Sequence, residues 1–295
     1  MTQKIIHIGC PKAGSTFLQH YFSEHPDIDY DAMDFEDFKR TGHLNESIAD
    51  KKVTAPFRVL SEEALSVAGI KVERVGVTYQ ELPDVQQHQL NTARRLHQLF
   101  PNAKILMVVR SFETLIPSLY SQYVVKGYRS DFETFLKEYE SAFSEQFNYD
   151  FLYQTYVDVF GESNVLLLPY EMLKESSSKF ISIIEDYFGL SNYEFISKSV
   201  NKSLSERSIP LVLAASKLIF WSTKLLPKTK RIKVQMKYQS FISKIKDQWL
   251  SGFKSNEKNT DTASLKKILT TFNGTSDHII KGKYIEKYAQ YYVYK

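Results

Sequence analysis

Cysteine is almost absent from this sequence of 295 residues, in which Cys10 is the only one. A single cysteine excludes an internal disulfide and any metal site built from cysteines alone. Long apolar runs are missing too, since no uninterrupted stretch reaches the roughly 18 residues that a membrane span needs. The chain begins Met-Thr-Gln-Lys and passes directly into a short apolar run, which leaves no room for a signal peptide. We therefore expect a soluble, cytoplasmic protein.

Positive charge is concentrated in one segment of the chain. The whole chain has a formal net charge of +4, whereas residues 201–250 contain eleven Lys and Arg against two acidic residues. Such a segment fits an anionic partner, namely a polyanionic substrate, an anionic lipid or a nucleic acid, but it also fits a solvated helical face. The hydrophobic share of 43% and the charged share of 24% are typical of a globular protein.

Short apolar runs alternate with longer segments of helical periodicity. The apolar runs predict four strands, at 4–8, 57–60, 105–109 and 165–168. In the helix after the third of these, Pro117 fits only the first turn. Beyond about residue 200 the pattern is helical and basic, and Pro227 separates two helices. Strands separated by helices predict an α/β fold with a parallel sheet flanked by helices.

The first predicted strand leads through a glycine-rich loop, Gly9-Cys-Pro-Lys-Ala-Gly-Ser-Thr16, into a helix. Such a turn directs backbone N–H groups and the positive end of the helix dipole at one spot, which favours a phosphate. Gly9, Gly14 and Thr16 have the spacing of a kinase P-loop, but Ser15 stands where the kinase has its lysine. The loop therefore predicts a phosphate site that lacks the cation needed on the β- and γ-phosphates of ATP.

The run Pro-Lys-x-Gly-Ser-Thr after a first strand resembles the 5′-phosphosulfate loop of sulfotransferases that use 3′-phosphoadenosine 5′-phosphosulfate (PAPS). Arg110 at the end of a strand, followed eight residues later by Ser118, is similar to the 3′-phosphate segment of that family. A guanidinium and a hydroxyl suit a dianionic phosphate. The run 165–173, with its Tyr-Glu-Met-Leu, resembles the family's fourth-strand segment, whose role is structural. The resemblance covers roughly residues 4–205.

The resemblance implies a fold, a donor and the residues that hold the donor. The fold is a P-loop-like α/β core over residues 1–205, with a mainly helical region over 206–295 packed on the same domain. PAPS is the co-substrate, 3′-phosphoadenosine 5′-phosphate (PAP) is the product, and no metal is required. Lys12 would neutralise charge on the departing phosphate. The implied donor-binding residues are Lys12, Ala13, Gly14, Ser15, Thr16, Phe17, Arg110 and Ser118.

The implied general base is a glutamate. The run Leu60-Ser-Glu-Glu-Ala-Leu resembles the Ser-x-Glu-x-Leu segment of bacterial-type and glycan sulfotransferases, in which a glutamate accepts the acceptor proton. Matching residue by residue gives this catalytic role to Glu63, while Glu62 is one position off. A histidine stays open as the alternative base, although His20 and His43 have no motif around them.

The implied reaction is sulfuryl transfer to a hydroxyl or amine, and we expect a glycan or glycolipid acceptor. The basic segment 206–258 would bind an acidic polysaccharide precursor if it lies near the acceptor cleft, or dock on an anionic membrane if it lies outside. No specific nucleic acid is expected. Two other classes stay open: a degenerate P-loop kinase or nucleotide-binding protein, and a non-catalytic module that binds polyanions.

Overall fold

A computed structural model describes residues 2–32, 38, 43–66, 84–196, 204, 208–245 and 262–294. Within these residues, five strands form one parallel sheet: β1 Gln3–Gly9, β2 Ile28–Tyr30, β3 Phe57–Ser61, β4 Lys104–Val109 and β5 Val165–Pro169. Their order across the sheet is β2-β3-β1-β4-β5. In the register of the central strands, Ile6 of β1 lies opposite Leu60 of β3 and Ile105 of β4.

Helices cover the sheet, as the near-continuous burial of its strands requires. From Ile105 to Val109 every residue of β4 is buried, and so is every residue of β5. A strand buried on both faces is typical of a parallel sheet with helices on each side. The helices are α1 Ser15–Glu24, α2 Val85–Leu99, α3 Phe112–Val125, α4 Phe132–Gln146, α5 Tyr149–Phe160, α6 Tyr170–Glu175, α7 Ser177–Phe188, α8 Ser208–Thr223, α9 Lys228–Ile245 and α10 Thr262–Leu269. The predicted α/β fold with a parallel sheet is thereby confirmed.

The four predicted strands are present, and their ends differ from the prediction by no more than one residue. A fifth strand, β2, was not predicted, so the run at 57–60 is the third strand along the chain and not the second. Ile28–Tyr30 is only three residues long and pairs with β3 at the edge of the sheet, Ile28 opposite Phe57. A run this short carries no periodicity, so only the pairing defines it as a strand.

The expectation for Pro117 was wrong. Helix α3 begins at Phe112, which puts Pro117 in its second turn. Proline there removes the hydrogen bond to the carbonyl of Glu113. Glu113 lies on the exposed side of α3, where water can take the place of the missing donor.

The order of the strands defines where a ligand would bind. The chain first builds β1, β2 and β3 on one side of the sheet and then crosses to β4 and β5 on the other side of β1. Ligands of such open sheets bind outside the carboxyl ends of the strands, where the direction of strand order reverses. The loops after β1, β3, β4 and β5 all leave from this edge.

The described part of the region beyond residue 200 is helical, and Pro227 separates α8 from α9 as predicted. The implied domain boundary at 205/206 lies outside the described residues and stays a prediction. The end of the chain packs on the core, where the ring of Phe272 stacks on that of Phe112 at 4.3 Å. Among the described residues, no helix has both the length and the apolar character to cross a membrane.

Candidate active site

The predicted phosphate loop lies at the carboxyl end of β1. After Gly9 the backbone turns, with the amide of Ala13 donating to the carbonyl of Cys10 at 3.2 Å, and α1 then begins at Ser15. The N-cap residue of α1, Gly14, has no side chain that could cap the helix. Since the first amides of a helix lack carbonyl partners within it, this end of α1 presents N–H groups and a positive dipole to the site.

Two residues of the loop have left-handed backbone conformations. Lys12 has a φ of 63° and Gly14 a φ of 90°. At Gly14 an added Cβ would also lie 2.7 Å from Cδ2 of Leu173, so both the conformation and the space require glycine. At Lys12 the conformation costs about 1–2 kcal/mol. Strain of this kind persists where the surrounding structure holds it, which is typical of functional loops.

Arg110 ties this loop to the end of β4. Its Nη1 donates to the carbonyl of Lys12 at 2.6 Å, and its Nε donates to Oγ1 of Thr114 at 2.9 Å. The guanidinium lies 4.6 Å from the centre of the Tyr170 ring, as a cation–π contact. Burial lowers the pKa of Arg110, and the nearby Tyr170 and Glu171 oppose that shift. A guanidinium stays charged through such a shift, so a partly desolvated cation faces the loop.

Ser118 lies on the face of α3 that Arg110 contacts. Thr114 accepts from Arg110, and Ser118 is four residues further on, one turn along the same face. Its side chain is buried. The structure therefore brings Arg110 and Thr114 together beside the loop, and it puts Ser118 on the same face of α3 as Thr114.

The two glutamates after β3 have different surroundings. The carboxylate of Glu62 accepts from the amide of Ala64 at 3.1 Å and caps the short turn 63–65. Glu63 instead lies beside the phosphate loop. Burial raises the pKa of Glu63, whereas the Ser15 hydroxyl and the Lys12 charge act to lower it. A carboxyl with a raised pKa next to a cationic loop is typical of a proton-transfer group.

His7 lies under the loop, in the middle of the sheet. Its Nδ1 is 2.7 Å from Oγ of Ser61, and Nε2 of Gln19 donates to the same hydroxyl at 3.4 Å. Burial lowers the pKa of His7 to about 3, so its ring is neutral at neutral pH. An added Cβ at Gly9 would lie 3.0 Å from Nε2 of His7 and 2.6 Å from Oγ of Ser15. The absence of a side chain at Gly9 is thus what lets the imidazole approach Ser15.

The other residues singled out from the sequence lie around this centre. Ala13 is buried at the loop, and Phe17 packs edge-to-face on Phe195 at 5.3 Å. Of the two histidines considered as bases, His20 lies 4.0 Å from Glu24 on the exposed side of α1, and His43 is exposed. Among the described residues, no group of three or more His, Cys, Asp and Glu could hold a metal ion.

Sequence reasoning missed three contributors to the site: Thr114, Tyr170 and His7. The position of Thr114, one turn before Ser118, was a usable signal for the first of them. Tyr170 belongs to the segment 165–173, for which the sequence predicted only a structural role, whereas its ring forms a cation–π contact with Arg110. His7 stood within a buried strand, where nothing in the sequence indicates that its ring reaches toward the next loop.

The sequence profile described as "Sulfotransferase family" matches residues 4–194, about two thirds of the chain. This chain belongs to the sulfotransferase family. The matched range includes the phosphate loop, Glu63, Arg110 and Ser118. The coarse activity, transfer of a sulfuryl group, follows from that membership. Among the curated proteins, none matches the sequence.

Three solved sulfotransferases were matched to this member of the family. A sulfotransferase from Alicyclobacillus acidocaldarius is 15% identical, with a TM-score of 0.52 over 79% of this chain and 95% of its own. The sulfotransferase domain from the curacin biosynthetic pathway is 16% identical, with a TM-score of 0.42 over 81% of this chain and 98% of its own. Mouse sulfotransferase SULT7A1, complexed with PAP, is 15% identical, with a TM-score of 0.38 over 72% and 64%. The first of these likenesses supports the fold.

Proposed function

We propose that this sulfotransferase moves the sulfuryl group of PAPS to a hydroxyl or amine of an acceptor, a glycan or glycolipid. The observation that carries the proposal is the hydrogen bond from Nη1 of Arg110 to the carbonyl of Lys12 at 2.6 Å. It puts the cation assigned to the 3′-phosphate against the loop assigned to the 5′-phosphosulfate. PAPS has both groups on one ribose, so two neighbouring anion sites suit it.

The donor would be held by backbone and side-chain donors of the loop. In this proposal, the amides of residues 13–17 and the hydroxyls of Ser15 and Thr16 bind the 5′-phosphosulfate at the start of α1. Arg110 and Ser118 bind the 3′-phosphate, with the guanidinium oriented by Thr114 and the ring of Tyr170. Two of the five N–H donors of Arg110 are used in the bonds to Lys12 and Thr114, which leaves others for a phosphate.

The proposed reaction is a direct displacement at sulfur. The acceptor oxygen or nitrogen forms a bond to sulfur while the bond from sulfur to the 5′-phosphate oxygen breaks. Glu63 takes the proton that the acceptor loses, and the electron pair of the broken bond leaves on PAP. Lys12 and the α1 amides stabilise the negative charge that develops on the leaving phosphate. The raised pKa of Glu63 supports its role, because a stronger base takes the proton more readily.

The two other classes considered from the sequence have less support. A P-loop kinase needs a lysine at the position of Ser15. The sequence profile that matches this chain is also that of sulfotransferases and not that of kinases. A non-catalytic module would bind polyanions through the basic helices and would not depend on Lys12. The cytoplasmic location stays a prediction from the sequence.

The test is calorimetric binding of PAP to the full chain and to Arg110→Ala and Lys12→Ala. Arg95→Ala serves as the matched control, since Arg95 forms a surface ion pair with Glu46 at 3.0 Å. Loss of charged hydrogen bonds to a phosphate lowers affinity by about 10–100-fold. We expect this loss in Arg110→Ala for PAP but not for adenosine 5′-phosphosulfate, which lacks the 3′-phosphate. Absence of PAP binding, or tighter binding of ATP with magnesium, would contradict the proposal.

The acceptor is tested separately, by transfer of labelled sulfur from PAPS to glycan and glycolipid fractions. We expect labelled product with the native chain and loss of product with Glu63→Gln. Transfer confined to an acceptor that contains no sugar would contradict the acceptor class and leave the donor assignment standing.

A further inference from the structure

Helices α8 and α9 form a hairpin, and among the described residues one side of it packs on α3. The inner side of α8 buries Val212 and Ser216, and Oγ of Ser216 lies 3.1 Å from the hydroxyl of Tyr238 on α9. Helix α9 is fastened to the end of α3, where Nε2 of Gln239 donates to the carbonyl of Lys126 at 2.6 Å. The outer sides of both helices face solvent.

The outer side of α8 is apolar. Leu211, Leu218 and Trp221 repeat at intervals of seven and three, which puts them on one face, and Leu218 and Trp221 are 71% and 67% exposed. Leu225, in the turn between the helices, is 96% exposed. Large apolar side chains that are exposed together on one helix face are typical of a surface that another apolar phase covers.

The outer side of α9 is basic. Its lysines occur at intervals of three, four and seven and form one exposed stripe: Lys230, Lys233, Lys237 and Lys244. Exposed Met236 and Phe241 flank the stripe on its two sides. The surface of the hairpin, defined by the outer residues of α8, the turn and α9, thus combines apolar side chains with a row of positive charges.

We propose that this hairpin surface docks on an anionic membrane, with Trp221 and Leu225 entering the headgroup region and the α9 lysines contacting lipid phosphates. Apolar side chains beside lysines, with a tryptophan at the boundary, are the composition of interfacial helices. Each lysine near an anionic leaflet adds attraction that falls off within a Debye length. The hairpin lies along the surface in this arrangement.

Two other occupants fit the surface less well. A nucleic acid would pair with the lysines but would leave Leu218 and Leu225 in water. A second copy of the chain, docked by the same face, would cover the leucines but would set two rows of lysines against each other. A membrane is the one partner of these three that matches both the apolar and the basic half.

Helix α9 is anchored to the molecule at a residue close enough to Glu63 for its charge to act there. The charge of Lys126 acts on Glu63, and Lys126 is the residue to which Gln239 of α9 is bonded. Resting on the proposed function, this placement favours an acceptor that is presented at the membrane, namely a lipid-linked glycan. The docking itself does not depend on the chemistry at Glu63 and can be tested without it.

The test is flotation of the full chain with vesicles of phosphatidylcholine, with and without phosphatidylglycerol. We expect binding to the anionic vesicles only. Lys230→Glu/Lys233→Glu/Lys237→Glu should weaken binding on the order of a hundredfold, whereas the charge-matched control should not. The control changes three exposed lysines outside the hairpin, Lys174, Lys179 and Lys281.

A second pair of variants tests the apolar half. Leu218→Glu/Leu225→Glu should lower vesicle binding by tenfold or more, while Ile196→Glu, which changes another highly exposed apolar residue, should not. Melting by circular dichroism verifies that each variant is folded, and PAP affinity is measured in parallel. A variant that loses vesicle binding but keeps its PAP affinity would show that membrane docking is independent of the proposed donor binding.

Three results would overturn the docking proposal. One is the absence of flotation with anionic vesicles. Another is binding of heparin or nucleic acid that the lysine variant loses, together with vesicle binding that Leu218→Glu/Leu225→Glu leaves unchanged. The last is a dimer by light scattering that Leu218→Glu dissociates.

Discussion

Replacing Gly9 with alanine tests whether the space between His7 and Ser15 holds the phosphate loop in place. The new Cβ would lie 2.6 Å from Oγ of Ser15 and 2.9 Å from Cε1 of His7. Ordinary contacts between such atoms are about 3.5 Å or longer. Ser15 would therefore have to move by roughly 0.9 Å and His7 by roughly 0.6 Å to restore ordinary contacts. His7 is wholly buried and bonded to Ser61, so we expect Ser15 to take the larger share of the movement.

The expected loss has a stability part and a functional part. Overpacking a core by one methyl group costs typically 1–3 kcal/mol, which lowers the Tm of a chain of this size by about 2–10 °C. Displacing a binding group by close to 1 Å costs up to about a hundredfold in rate. We therefore expect Gly9→Ala to remain folded, with PAP affinity and sulfuryl transfer reduced by about 10–100-fold.

The control is Gly189→Ala. Gly189 has a φ of 78°, and an added Cβ there would meet nothing within 4 Å. The free energy of unfolding of Gly189→Ala should fall by about 1–2 kcal/mol, because of the left-handed backbone alone. Its PAP affinity should be unchanged. In the double variant Gly9→Ala/Ser15→Ala the clash with Oγ is gone, so stability should recover in part while affinity stays low. Native PAP affinity in Gly9→Ala, with a Tm loss like that of Gly189→Ala, would refute the reasoning.

Three further changes have distinct readouts. Glu63→Gln should lower kcat by about 10²–10⁴-fold and abolish the loss of activity as pH falls through the raised pKa of Glu63. Because the raised pKa disfavours the charged form in the folded state, the variant should also be more stable than the native chain at neutral pH. A lower Tm for the variant would contradict this reasoning. Tyr170→Leu removes the ring under Arg110, worth about 0.5–2 kcal/mol, and should weaken calorimetric binding of PAP but not of adenosine 5′-phosphosulfate. Burial lowers the pKa of His7 to about 3, so the unfolded chain binds a proton at this residue before the folded chain does, and the free energy of unfolding falls as pH drops below about 6.5. His7→Gln should flatten this pH dependence in denaturant titrations. An unchanged slope of unfolding free energy against pH would disprove the role of His7.

The parts of the fold and the site that could be predicted from the sequence are the local ones. The phosphate loop is eight consecutive residues, and the pair of Arg110 and Ser118 is separated by two helical turns, so short-range spacing is enough to find them. Helix α1 and strands β1 and β4 likewise have apolar runs of their own. In contrast, β2 is defined by its pairing with β3, which no run of three residues reveals.

The family resemblance selects Glu63 over Glu62 as the base, but the physical difference between these two adjacent glutamates could not be predicted from the sequence. Glu62 and Glu63 have the same chemistry, and both favour the start of a helix. Their different surroundings arise from the turn that follows β3, where Glu62 caps the amide of Ala64 and Glu63 is left beside Ser15. Two consecutive residues thus have different roles: the carboxylate of Glu62 caps a turn, and that of Glu63 is proposed as the base.

Helices α1 and α3 both begin at this edge of the sheet, and of these two only α1 offers its N-terminus to an anion. At the start of α3, the amide of Ser111 donates to the carboxylate of Glu171 at 3.0 Å, and the amide of Phe112 donates to the hydroxyl of Tyr294 at 2.9 Å. The same carboxylate accepts from Tyr292 at 2.7 Å. The start of α3 is therefore already supplied with a negative charge by residues distant in sequence.

This difference supports the proposed arrangement, in which a side chain binds the 3′-phosphate and a backbone binds the 5′-phosphosulfate. A second phosphate at the start of α3 would meet the carboxylate of Glu171, which repels it. The guanidinium of Arg110, which projects from the same strand end toward Lys12, offers the cation that the helix cannot. Glu171 and Tyr294 thus occupy the start of α3 and leave the start of α1 for the donor in the proposed function, and no motif around the first loop could have indicated that.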